Sequence, residues 1–171
     1  MNNQFSNIIW FILLLVVQLF ILDAIHVGEY STYFNPLIFS FFILKQRLEI
    51  KLYILLIFAF LLGLTVDIFR NTFGLNTSVL LLLAFLRSRF LYFISSKDDF
   101  ETGLELNIFT LGIGRYIMFF GLSIFFHHLL FFLLEQFSFD NFSILLLRTF
   151  SNTLLTLVIL AFFQFLIIPK K

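Results

Sequence analysis

Three stretches of this chain carry no Asp, Glu, Lys or Arg over lengths that match the thickness of a membrane. They run from Met1 to Leu22, from Tyr116 to Leu134 and from Thr149 to Pro169. A helix needs about 20 apolar residues to cross the hydrocarbon core of a bilayer. The chain as a whole is 61% hydrophobic and 12% charged, whereas soluble domains carry about 25% charged residues. The sequence therefore predicts an integral membrane protein that lies in lipid.

The pattern of apolar runs predicts an all-α membrane protein, namely a six-transmembrane-helix bundle that forms a single integral membrane domain over residues 1–171. The second apolar run is the shortest, because its uninterrupted core extends only from Pro36 to Leu44. That length is short for a complete crossing and also fits a re-entrant segment. The six spans are expected at about 8–25, 34–48, 51–69, 77–94, 108–134 and 143–168.

The distribution of basic residues favours six crossings. In that arrangement nine of the 11 Lys and Arg residues lie on one side, and only Arg70 and Arg148 lie on the other. Because Lys and Arg are enriched in cytoplasmic loops, the richer side is predicted to be cytoplasmic, with both termini on it. Without the second crossing, the basic cluster 45–51 would share a side with the acidic residues Asp23 and Glu29. The net charge of +1 gives no reason to expect nucleic-acid binding.

The end of the predicted third span combines a small residue and an acid. Gly63 and Asp67 are four residues apart, so they share one face of a helix. Asp67 is a candidate for contact with a cationic ligand or with a partner helix. Two structural alternatives are an ion pair with Arg70 at i+3 and a cap on the turn 71–76. Gly74 lies in that turn, where we expect a positive φ.

The predicted fifth span contains a seven-residue repeat, Gly114, Gly121, His128 and Glu135. This spacing places the four residues on one stripe of the helix. Because small residues allow helices to approach closely in membranes, we expect the stripe to face protein. His127 points about 100° away from His128, so packing and hydrogen bonding are expected here rather than a metal site.

The start of the predicted sixth span is polar, and this face must point into the bundle or at a partner helix. Gln18 and Gln164 are single polar groups near the expected middle of the membrane, where they suit hydrogen bonds between helices. The chain has no Cys and no recognisable nucleophile, zinc-protease or phosphate-loop motif. We therefore expect neither an enzyme nor a bound cofactor. The polar face comprises Arg148, Thr149, Asn152, Thr153 and Thr156.

The stretch from Gly63 to Asn76, with sequence GLTVDIFRNTFGLN, resembles the central motif of the rod shape-determining protein MreD family. In that family a G-x-x-x-D sequence ends one span, a polar turn follows, and the next apolar helix ends in Ala and an aromatic residue. Ala84-Phe85 occupies the last place here. Gln18, Asn35-Pro36 and the short basic loop after them are also similar. The pair at 127–128 and the segment 135–139 are similar to the family as it occurs in Bacteroidetes-like bacteria.

The resemblance implies a non-enzymatic inner-membrane subunit of the bacterial cell-elongation complex, which supports cell shape and the placement of peptidoglycan synthesis. It implies MreC as the direct partner, with MreB, RodA and the elongation transpeptidase in the wider complex. It also implies a fold similar to the substrate-binding subunits of energy-coupling-factor vitamin transporters. A solute-binding subunit of such a transporter is therefore the alternative function, because six spans with polar faces can enclose a pocket.

Overall fold

The computed structural model describes residues 3–25, 28, 33–94, 105–138 and 140–167, and within these ranges the chain is helical with no strands. The first helix, α1 (Asn3–Val16), continues as a π-helical segment, Val17–Leu22. A 3₁₀ turn, Ile38–Ser40, leads into the short α2 (Phe41–Leu44). The remaining helices are α3 (Leu52–Arg70), α4 (Leu75–Ile94), α5 (Ile108–Leu111), α6 (Ile113–Gln136) and α7 (Phe142–Ile167).

Four helices, α3, α4, α6 and α7, are long and apolar enough to cross a membrane. The apolar helix Asn7–Leu22 is shorter. Large apolar side chains cover the outside of the four long helices; Ile68, Phe93 and Phe162 are each more than 60% exposed. Water would not solvate such a surface favourably, whereas lipid chains would. Length and surface together indicate a multi-pass membrane protein.

The segment predicted as a helix over 34–48 has a different structure, because only Ile38–Leu44 are helical. Pro36 has no N–H to donate, and the side chain of Gln18 binds the backbone at Pro36 and at Ile38, two residues later. Gln18 Nε2 donates to Pro36 O at 3.1 Å, and Gln18 Oε1 accepts from Ile38 N at 2.8 Å. The polar backbone of a short, partly irregular segment is thus satisfied inside the protein, as the membrane interior requires.

This second segment runs beside α1 and in the opposite direction. At its start, Asn35 N donates to Asn152 Oδ1 on α7. At its end, Lys45 Nζ donates to Asn7 Oδ1 near the beginning of α1 at 3.4 Å. Every side chain from Leu37 to Lys45 is buried. The segment is therefore the centre around which the longer helices pack.

Aromatic side chains join the second segment to its neighbours. Phe41 contacts the ring of Trp10 on α1, with centroids 5.6 Å apart, and that of Phe120 on α6 at 5.5 Å. Phe42 meets Phe11 and Phe58 in edge-to-face arrangements. Such pairs add about 0.5–1.5 kcal/mol each beyond the burial of their area. The chain has 29 Phe residues. Among the described ones, seven are buried and serve core packing, whereas twelve are exposed on the outside.

The helix predicted over 108–134 is interrupted near its start. Gly112 adopts φ +75° and separates α5 from α6. Asn107 caps α5, since its side-chain oxygen accepts hydrogen bonds from the backbone N–H groups of Phe109 and Thr110. A side-chain cap of this kind begins a new helix. Ile113 is consequently the first residue of the long helix, and Gln136 is the last.

Candidate functional site

Helices α3 and α4 touch through their backbones at Gly63. A Cβ atom at this position would lie 2.5 Å from Thr77 Cα and 2.9 Å from Thr77 N. No side chain fits there unless the two helices separate. Gly63 therefore sets the distance between α3 and α4, in the way that small residues do in membrane helix pairs.

Asp67 lies one turn after Gly63 and binds the start of α4. Its Oδ1 accepts from Asn76 N at 2.9 Å, and its Oδ2 accepts from Thr77 N at 2.8 Å. The side chains of Thr72, Asn76 and Thr77 also donate to this carboxylate. A carboxylate that accepts the free N–H groups of a helix start also interacts favourably with the helix dipole. Of the alternatives for Asp67, the structure thus shows the cap on the turn.

Arg70 does not pair with Asp67, which corrects the other alternative. Its guanidinium binds the carboxylate of Asp23, at the end of the π-helical segment, through Nε at 2.7 Å and through Nη2. It also donates to Asn35 Oδ1 at 3.2 Å. Arg70 therefore connects the end of α3 to α1 and to the start of the second segment. The spacing between Asp67 and Arg70 could not reveal this ion pair, because Asp23 is 47 residues away in the chain.

The turn between α3 and α4 contains three residues in the left-handed region of the backbone. Asn71, Phe73 and Gly74 have φ values of +56°, +48° and +88°. The prediction of a positive φ at Gly74 is confirmed. Phe73 is 96% exposed, so its ring extends away from the protein at this end of the bundle. We call the unit formed by Gly63, Asp67 and residues 70–77 the α3–α4 corner.

A second group of buried polar side chains lies between the second segment and helices α6 and α7. His128 Nε2 accepts from Leu37 N at 3.3 Å, while Nδ1 lies 2.9 Å from Ile124 O. These contacts assign the proton to Nδ1 and leave Nε2 as the acceptor. Thr156 Oγ1 lies 3.4 Å from the same Nε2. His128, Gln18 and Asn152 thus bind the backbone of the irregular second segment.

His127 is fully buried beside His128, and neither of its ring nitrogens has a hydrogen-bond partner among the described residues. The hydroxyl of Ser123, one turn earlier on α6, is in the same situation. The ring of His127 packs edge-to-face on Phe39 at 5.6 Å. His127 thus serves as an aromatic core residue, whereas its neighbour His128 makes hydrogen bonds.

The predicted stripe on α6 is only partly buried within this chain. Gly114 is exposed, and a Cβ there would meet nothing within 4 Å, whereas a Cβ at Gly121 would meet only Leu157 Cδ1, at 3.7 Å. His128 is buried, and Glu135 is exposed again. A seven-residue repeat drifts by about 20° per repeat on a straight helix, so its two ends turn away from the core. That the whole stripe faces protein stays a prediction, in which a partner helix would cover the exposed ends.

Glu135 and Arg148 form an ion pair that joins the end of α6 to the start of α7. Arg148 Nη2 lies 2.6 Å from Glu135 Oε2, and the guanidinium lies 4.3 Å above the ring of Phe132. Glu135 also borders a cavity of about 320 Å³, together with Asp23 and Arg70. Its lining is more polar than that of three apolar grooves elsewhere in the described part of the bundle.

Arg87 is a structural residue that the sequence analysis did not single out. It is buried, and its guanidinium donates to Leu44 O at 3.3 Å and to Gln46 O. These carbonyls belong to the end of α2 and the turn after it. The last carbonyls of a helix have no N–H donor within the helix, so Arg87 supplies one. An arginine within an otherwise apolar helix was the signal for such an internal role.

No three His, Asp or Glu side chains within the described ranges are placed to hold one metal ion. Comparison of the chain with family models, with curated proteins and with solved structures gave no significant match. A functional proposal therefore rests on the sequence resemblance and on two structural features. These are the α3–α4 corner and the buried polar group between the second segment, α6 and α7.

Proposed function

We propose that the chain is a non-enzymatic, multi-pass subunit of the bacterial cell-elongation complex, which acts in the inner membrane through MreC and its associated proteins. The observation that carries the proposal is the α3–α4 corner. The resemblance to the MreD family rests mainly on residues 63–76, and residues of the same stretch join α3 to α4. Gly63 lets the two backbones meet at Thr77, and Asp67 binds the same residue.

The proposal includes six crossings, with both termini cytoplasmic. The second crossing is the segment from Asn35 to Lys45. Asn35 Oδ1 accepts from Arg70, which binds Asp23. Lys45 contacts Asn7 near the start of α1. The non-helical part of this segment costs little free energy in the membrane, because the segment is buried in protein. Gln18 and Arg87 bind backbone groups that have no partner within a helix. The basic side, with Lys45 among its residues, is the cytoplasmic one.

An adaptor of this kind needs a rigid frame and exposed faces for partners. The frame is the α3–α4 corner, which fixes two helices by backbone contact and by a charged cap. The exposed faces are apolar and lie on the outside of the helices, where Phe69 and Ile68 flank the corner. Association of membrane helices depends on such packing surfaces and on small residues.

The proposal is tested by depletion in the rod-shaped bacterium that encodes the chain. Cells should become round, and the tagged protein should co-purify with MreC. A chromosomal copy with Asp67→Ala should fail to restore rods, whereas Gly114→Ala, in open space, should restore them. Normal rods after complete depletion would refute the proposal, as would full rescue by an Asp67→Ala protein that no longer binds MreC.

A second function is supported by a different observation, the polar cavity of about 320 Å³ beside Asp23, Asn35 and Arg70. A cavity with convergent polar groups suits a small solute, as in the binding subunit of an energy-coupling-factor transporter. Native mass spectrometry of the purified protein, with thermal shifts across vitamins, tests this alternative. A retained solute that Arg70→Gln abolishes would favour it over the adaptor, and an empty protein with no shift would reject it.

A further inference from the structure

An apolar groove opens on the outside of the bundle where the end of α4 meets α6 and α7. Its volume is about 440 Å³. Gly121 forms the floor, and a Cβ there would meet only Leu157 Cδ1, at 3.7 Å. Phe93 and Phe150, both largely exposed, stand at its two sides. The one polar side chain in the lining, Thr153, donates its hydroxyl proton to Thr149 O, so the groove offers no free donor of its own.

The groove lies on the outside of the bundle and its lining is apolar, which suits a lipid chain. A helix with its side chains is about 10–12 Å wide. A flexible acyl chain is narrow enough to lie along the groove and has no polar groups that need partners.

A cation lies in line with the groove on α6. Arg115, Met118, Leu122 and Phe125 follow one another at spacings of three and four residues, so they share one helical face. The last three line the groove, and Arg115 is exposed one turn beyond them, near the start of α6. A guanidinium has five N–H donors, so it can bind a phosphate while it keeps contacts within the protein.

From this arrangement we infer a binding site for an anionic phospholipid. One acyl chain lies in the groove over Gly121, and the phosphate of the headgroup binds the guanidinium of Arg115. Arg89, which is exposed on α4 four residues before Phe93, adds positive charge at the same end of the bundle. Basic residues at a membrane surface attract anionic lipids by about 1 kcal/mol each, which corresponds to about a fivefold preference. The site goes beyond the proposed adaptor function and does not depend on it.

The site is tested in nanodiscs that contain equal amounts of phosphatidylglycerol and phosphatidylethanolamine. Native mass spectrometry, after detergent has removed loosely bound lipid, counts the molecules that the protein retains. Wild type should keep one phosphatidylglycerol in preference to phosphatidylethanolamine. Arg115→Gln should lower that preference about fivefold. Lys51→Gln, which removes the same charge at the start of α3, should leave it unchanged.

Two variants fill the groove itself. Gly121→Leu occupies the floor, and Leu122→Trp fills the groove from its exposed side without entering the core. Both should lose most of the retained lipid, whereas Gly114→Leu, in open space on the same helix, should not. If Gly121→Leu fails to fold, Leu122→Trp and Arg115→Gln still decide the outcome. Equal retention of both lipids by wild type, undiminished retention in Leu122→Trp, or a dimer mass in place of bound lipid would overturn the inference.

Discussion

The contact between Gly63 and Thr77 makes a quantitative prediction for the variant Gly63→Ala. The added methyl carbon would lie 2.5 Å from Thr77 Cα, whereas ordinary contact begins at 3.4 Å. Both neighbouring atoms belong to the backbone, so no side-chain rotation relieves the clash. Helices α3 and α4 would have to separate by roughly 0.9 Å, the difference between those two distances.

The separation would also weaken the cap at Asp67. A shift of that size would lengthen the hydrogen bond from Thr77 N to Asp67 Oδ2 from 2.8 Å to about 3.7 Å, which is too long for a hydrogen bond. Overpacking costs about 1–3 kcal/mol, and a lost bond to a charged group costs about 1.5–3 kcal/mol. Ala gains about 1 kcal/mol over Gly in a helix. The expected net loss of unfolding free energy is about 1.5–5 kcal/mol.

The matched controls are Gly121→Ala and Gly114→Ala, on α6. The nearest side-chain atom to a new Cβ at Gly121 lies at 3.7 Å, and nothing lies within 4 Å at Gly114. Both variants should therefore be neutral or more stable by up to about 1 kcal/mol. The measurement is reversible unfolding of the purified proteins in the same mixed micelles. A Gly63→Ala protein as stable as Gly121→Ala would refute the claim that backbone contact sets the spacing of α3 and α4.

Three further predictions use the same unfolding assay. Asp67→Asn should lose about 1.5–3 kcal/mol, since one acceptor oxygen becomes an NH₂ group that faces donors; unchanged stability would contradict the capping role. His127→Phe should gain about 1 kcal/mol by removing two unsatisfied nitrogens, whereas His128→Phe should lose about 1–3 kcal/mol with its hydrogen bonds; equal effects would be inconsistent with this assignment. Asp23→Asn and Arg70→Gln should show a coupling energy of roughly 1–3 kcal/mol in a double-mutant cycle, because the pair is largely buried; additive effects would exclude their ion pair.

The sequence alone determined the class of the protein and the positions of its long helices. Segments 51–69 and 77–94 were expected as helices, and α3 and α4 extend over Leu52–Arg70 and Leu75–Ile94. The reason is local, since apolar length and the cost of unpaired backbone in lipid leave few alternatives to a helix. The positive φ at Gly74 was equally local, because the turn must reverse the chain within a few residues.

Tertiary structure decided which polar groups meet. Asp67 and Arg70 are close in the chain, yet each binds a different partner, and Arg70 reaches Asp23 only because the ends of the π-helical segment and of α3 meet in the fold. The same holds for the second segment, whose irregular backbone depends on Gln18. Helical periodicity gives the direction of a side chain but not the identity of the neighbour it faces. That identity follows from how the helices pack, which explains why His127 and His128 differ and why Gly114 faces open space.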